Sequence, residues 1–183
     1  FLALKDYDER LIGGRVLSEP QDIERKLEDL SRDITAVWQD KLRDRYDSID
    51  EYNREASVLE PYRVLVVFDY PAKFSDTMAA RLQSIAQTGP RCGVFTILCV
   101  DKSRPASYGV DVNAMLRGAE VLEAYGDHIL CKQEDLKCCR VIPDPSPPEA
   151  LLRHIVSYIG EHAKAGMKVE VKFERLLAAI GLD

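Results

Sequence analysis

Two apolar runs, each ending in an acid and the second broken only by Thr96, constrain this chain more than any other feature. They read Arg63-Val-Leu-Val-Val-Phe-Asp69 and Gly93-Val-Phe-Thr-Ile-Leu-Cys-Val-Asp101. A continuous apolar run, as opposed to an alternating one, is the pattern of a strand buried on both faces of a parallel sheet. Leu65, Val67 and Ile97 are therefore expected to be nearly fully buried. Between the runs, Ser75 is placed to cap a helix carrying Met78, Ala79, Leu82, Ile85 and Ala86 on one face, and Gly89-Pro90 stops it. Strand, helix and strand at this spacing predict a right-handed βαβ unit and an α/β fold.

The flanks are organised differently. Ile23, Leu27, Leu30, Ile34, Val37, Trp38 and Leu42 recur at spacings of three and four, after a start signal in Ser18-Glu19-Pro20-Gln21. They predict a helical arm from Glu19 to about Tyr46. Such a stripe either packs on its own domain, the commoner outcome, or docks on a partner. Ser48 with Glu51 marks a short second helix, and Pro61 ends the arm region. Ahead of the arm, residues 1–17 read as a short strand with a Gly13-Gly14 turn. After Asp101, residues 111–123 are expected to hold a short helix. Asp127 to Lys132 and Lys137 to Ile142 read as short strands. Ser146-Pro-Pro-Glu149 is expected to open a helix with Leu151, Leu152, Ile155, Val156 and Ile159 on its apolar face, closed by Gly166. Lys168 to Phe173 alternates charge and hydrophobe, as an edge strand does. The boundaries that follow are residues 1–57 for the arm region, 58–174 for the α/β domain and 175–183 for the start of a linker.

Composition removes several classes of function. Of 183 residues, 46% are apolar and 31% charged, enough to bury a core and too apolar for wholesale disorder. The net charge of −6 argues against a predominantly basic nucleic-acid module, though it leaves room for a local patch. The longest apolar run, Val64 to Phe68, is too short to span a bilayer. No signal peptide is recognisable, and a chain starting at Phe1 reads as a piece of a longer, cytoplasmic polypeptide. The five cysteines, Cys92, Cys99, Cys131, Cys138 and Cys139, include no CxxC pair. His128, His154 and His162 do not complete a ligand set, so reduced, mostly buried or half-buried thiols are expected and no metal site.

The residues with most chemical promise sit at the strand ends. Asp69 ends the first run, where open α/β sheets place ligands. Asp101 ends the second, and with Lys102 and Arg104 forms a candidate strand-end site; Lys73 and Arg91 fall in loops near the same ends. A carboxylate pair, Asp69 with Asp101, could hold a metal for hydrolysis, but acids there more often cap loops. No GxxxxGKS/T loop exists to cradle phosphates, and no GxSxG elbow exists.

The stretch from Ser48 to Asp101 resembles the FtsK/SpoIIIE family of DNA-translocating ATPases. The likeness rests on the Ile49-x-Glu-Tyr-Asn53 phrase, on Asp69 in the Walker B position, and on the Arg81 to Gly93 phrase, R-L-x-S-I-A-x-x-G-x-R-x-G, leading to the sensor strand. It extends over roughly residues 15–174. In a subgroup of large bacterial members, a degenerate copy of the ATPase core precedes an intact one, and Val169 to Glu174 looks like the segment leading to the next module. The resemblance implies a RecA-like, P-loop-type, mostly parallel sheet flanked by helices. It implies a parent protein that uses ATP and magnesium and acts on DNA or another polymer. The partner it implies is a neighbouring ATPase module, in the same chain or in a second subunit of a homo-oligomer. The chain departs from the family pattern in three places: no Walker A loop, Tyr70 where a glutamate would follow the Walker B acid, and Val100-Asp101 where active members place Thr-Gln. Asp69 alone maps onto a family functional position. A degenerate, non-hydrolysing domain with no cofactor of its own is the expectation. A stand-alone interaction domain docking through helix 19–46 is the alternative.

Overall fold

The computed structural model describes residues 16–106, 109–136 and 139–167. The expected strand at the N-terminus with Gly13-Gly14, the Lys168 to Phe173 strand, and Cys138 lie outside them. The described residues form a mixed α/β structure with five α-helices, a two-stranded parallel sheet and a three-stranded antiparallel sheet. The chain divides into two units, one of them Leu17–Ile142 and the other containing the helix after Pro143.

Within the first unit, helix α1 spans Pro20–Val37. Its first turn is set by Pro20, whose missing N–H costs nothing there. The preceding Glu19 occupies the cap position, and its side chain makes no capping bond, so the expected Ser18 cap with Gln21 does not form. Leu27, Leu30, Ile34 and Val37 are buried, as the stripe requires. The helix then widens into a π turn, Trp38–Leu42, in which the Arg43 N–H donates to the Trp38 carbonyl at 2.8 Å. Leu42 is completely buried there. Helix α2, Ile49–Glu55, follows an extended Ser48; Glu51 accepts from the Asp47 N–H at 2.8 Å, one residue upstream of the expected box.

Strand β1, Arg63–Tyr70, and strand β2, Val94–Val100, pair in parallel, Val64 opposite Phe95 and Val66 opposite Ile97. Helix α3, Asp76–Thr88, connects them, and Ser75 caps it as expected, accepting from the Met78 N–H at 3.2 Å. Met78, Ala79, Leu82 and Ile85 pack with the α1 stripe and with Leu65, Val67, Leu98 and Val100 from one face of the sheet. Each large side chain fully removed from water contributes roughly 1.5–3 kcal/mol. The arm is therefore part of the core of its own chain.

The other face of the sheet corrects the expected burial. Val64, Phe68, Phe95 and Ile97 are 59, 57, 44 and 54% exposed. Leu65 and Val67 are half-buried and Ile97 is open. A continuous apolar run reports that both faces are apolar; it does not supply the second layer. Nor is the sheet mostly parallel among the described residues. Helix α4 is confined to Val112–Leu116, and the chain then turns into strands β3 (Leu122–Tyr125), β4 (His128–Cys131) and β5 (Arg140–Val141), all antiparallel. Gly126, with a φ of 56°, forms the tight turn between β3 and β4 with Asp127.

In the second unit, helix α5 spans Glu149–Met167. Glu149 binds Arg153 one turn on, at 2.5 Å, in place of the expected reciprocal cap with Ser146. Leu151, Leu152, Ile155 and Ile159 are exposed on it. Gly166 lies within the helix instead of closing it.

Candidate functional site

The carboxyl ends of β1 and β2 lie side by side: the Asp101 N–H donates to the Tyr70 carbonyl at 2.9 Å. Just before that contact the register slips between Val67 and Tyr70, and Asp69 takes a left-handed backbone with a φ of 56°. Asp and Asn tolerate this region better than most residues, and a bulge here re-aims the strand end. Asp69 is exposed, and its carboxylate has no hydrogen-bond or ion-pair partner among the described residues. Tyr70 is wholly buried beside it, its ring edge-on to Phe74 at 5.2 Å. Burial, with a smaller effect from Asp111, raises the Tyr70 pKa.

The other predicted site residues are each engaged by other groups of the chain, Asp101 and Arg104 with each other and Lys102, Lys73 and Arg91 with distant segments. Asp101 accepts from the Ser103 N–H at 3.0 Å, the Ser103 hydroxyl at 2.6 Å and Arg104 Nε at 3.1 Å. These bonds, the Ser103 hydroxyl first, hold its pKa below the usual carboxylate value. Asp101 and Arg104 thus close a turn on themselves. Lys102 reaches away to Glu123, which also accepts from Lys132 at 2.8 Å and from the Tyr125 hydroxyl at 2.7 Å. With Lys102 first, then Lys132 and Tyr125, these partners lower the Glu123 pKa from 4.5 to about 2. Lys73 donates to the Ser18 carbonyl at 2.8 Å, and Arg91 Nε donates to the Asp47 carbonyl at 3.0 Å.

The start of α3, where a phosphate would rest in a nucleotide-binding βα turn, is closed to an anion. Asp76 accepts from the Thr77 N–H at 2.8 Å and places a negative charge there. Gly109 packs so tightly on that residue that an added Cβ would stand 2.9 Å from the Asp76 Cβ. No group of three or more potential ligands for a metal occurs among the described residues.

Glu123 escaped the sequence reading, which put residue 123 in a helix and assigned Lys102 to the Asp101 strand end. A Gly126-Asp127 turn after the apolar-polar alternation of Leu122 to Tyr125 was the available signal. This cluster borders a cleft of about 1140 Å³, walled by Gln83 and Gln87 of α3, by β2 and by the chain from Met115 to Tyr125. Cys92 and Cys131 are buried free thiols, whereas Cys99 and Cys139 are exposed. No helix among the described residues is long and apolar enough to cross a membrane. Compared with protein-family models, with curated proteins and with solved structures, the chain matches no family model, no curated protein and no solved structure.

Proposed function

We propose that the chain is a catalytically inactive, ATPase-like module of an FtsK-like translocase, with a structural or regulatory role against an active ATPase module. The observation that carries this reading is the pair of strand ends. A βαβ unit presents acids at Asp69 and Asp101, yet one carboxylate closes its own turn and the helix start between the strands carries Asp76. Phosphoryl transfer depends on positioned phosphates and a positioned water. Among the described residues, the engagement of Asp101 and Asp76 with their own turns supports an inactive reading. In this reading the body is a reduced RecA-like domain whose sheet is completed by neighbouring polypeptide. ATP and magnesium act at the active module, DNA or another polymer is engaged by the parent protein, and the assembly works in the cytoplasm.

The experiment has two arms. Phosphate release by the purified chain with ATP and magnesium should stay at background, and Asp69→Ala should leave it there. The coding sequence downstream of Asp183 should contain an intact GxxxxGKS/T loop following a strand. Turnover abolished by Asp69→Ala would sink the inactive assignment, and a downstream sequence with no ATPase module would sink the FtsK-like one.

A further inference from the structure

Strands β1 and β2 turn Leu65, Val67, Leu98 and Val100 toward the core shared with α1 and α3. Alternation along the strands and the pairing of Val64 with Phe95 put Val64, Phe68, Phe95 and Ile97 on the opposite face. Tyr62 extends that face, its ring centroid 6.3 Å from that of Phe95. These five side chains are 44 to 59% exposed. Cys99, two residues beyond Ile97 on the same face, is an exposed free thiol. The strip carries no charged side chain. Where β1 begins, the neighbouring charges are paired within the chain: Arg63 binds Asp33 at 2.6 Å, and the Tyr62 hydroxyl donates to Asp50.

We propose that this face is the contact between two copies of the chain, packed sheet on sheet about a two-fold axis. A second copy is selected by area and by chemistry. Side chains of this size, about half exposed, leave on the order of 500 Å² of apolar surface open on each chain. Two such faces together reach about 1,000 Å², the lower bound of a specific interface. An isologous contact needs a surface that is its own complement, and an uncharged apolar strip with its nearby Arg63 already paired meets that need. Sheets pack face to face about 10 Å apart with their strands within about 30° of one another. The pairing gives each parallel pair the second apolar layer that such strands normally have. So small an area sets a weak, reversible dimer with a Kd in roughly the micromolar range. The net charge of −6 opposes the approach of two copies, so added salt tightens the dimer by screening that repulsion. The proposal stands apart from the FtsK-like reading, because the face is the same whatever the parent protein does.

Sedimentation of the full 183-residue chain over roughly 1–500 μM brackets such a Kd. A monomer–dimer equilibrium is expected, tighter at high salt. Ile97→Lys and Val64→Lys place an ammonium group in the strip from β2 and from β1, and each should weaken the dimer by about tenfold or more. Both positions are more than half exposed, so the diluted variants should keep the wild-type urea midpoint. A second readout needs no variant. Alkylation of Cys99 in a non-thiol reductant, followed residue by residue by mass spectrometry, should slow as the wild-type chain is concentrated. Cys139, exposed outside the strip, is the internal reference and should react at a constant rate. A chain that stays monomeric throughout, a dimer indifferent to both lysine variants, or a dimer that salt dissociates would each overturn the proposal. So would a Cys99 equally protected at every dilution, because the face would then be covered by the chain itself.

Discussion

The guanidinium of Arg91 lies over the indole of Trp38, 4.7 Å from the ring centroid. The contact joins the π turn at the end of the arm to the short turn that feeds β2. It also gives the arm an optical reporter, because Trp38 is the single tryptophan. The indole is half-buried, so acrylamide should quench it more slowly than free tryptophan in a dilute monomeric sample. Arg91→Ala should raise the quenching constant and cost about 0.5–1 kcal/mol of stability. Quenching as fast as the free amino acid would mean that the arm is not packed on its own chain.

The centre of the core is the α1–α3 contact and not the outer sheet face. Leu82 is 0% exposed and Ile97 is 54% exposed. Leu82→Ala should cost about 2–5 kcal/mol, because it leaves a cavity among packed neighbours. Ile97→Ala should cost less than about 1 kcal/mol in the isolated chain. Urea denaturation of both variants checks the order, and equal losses would show that a second layer covers the sheet.

These two residues also show what could be read in the sequence. Leu82 follows from helical periodicity, since a stripe between two strands must face the sheet. Ile97 does not, because an apolar run specifies only that its faces prefer to be covered. The β1–α3–β2 unit and its cap at Ser75 were legible from local pattern. The four residues of β3 were not, because so short an alternation fits a helix end equally well. At the strand ends, Asp101 was legible as a loop-closing acid, its partners being the next few residues. Glu123 was not, because its cation Lys102 lies 21 residues away and meets it only through the tertiary fold.

Gly89 tests how tightly α3 is joined to β2. It has an ordinary helical backbone, so alanine is acceptable there by conformation. An added Cβ would nevertheless stand 2.6 Å from the Val94 carbonyl oxygen and 3.2 Å from the Val94 Cβ. The obstacle is backbone, which cannot rotate aside. Gly89→Ala should therefore destabilise by about 1–3 kcal/mol, whereas alanine normally strengthens a helix end relative to glycine. A thermal melt showing no loss or a gain would mean that the turn and the strand are farther apart.

The Glu123 cluster predicts a feature of the acid limb of stability. Folding lowers the Glu123 pKa from 4.5 to about 2, through Lys102, Lys132 and Tyr125 in that order. A depressed carboxylate pKa means that the unfolded chain binds the proton more readily in this window. The stabilisation is complete above 4.5 and is lost as pH falls toward about 2. Glu123→Gln removes the charge and should flatten that part of the profile while lowering stability at neutral pH. High salt should shrink the difference, since Lys102 and Lys132 are more than half exposed to solvent. Urea midpoints from neutral pH down to about pH 2 for wild type and variant provide the comparison. Parallel profiles across that range would show that Glu123 does not hold the two lysines in solution.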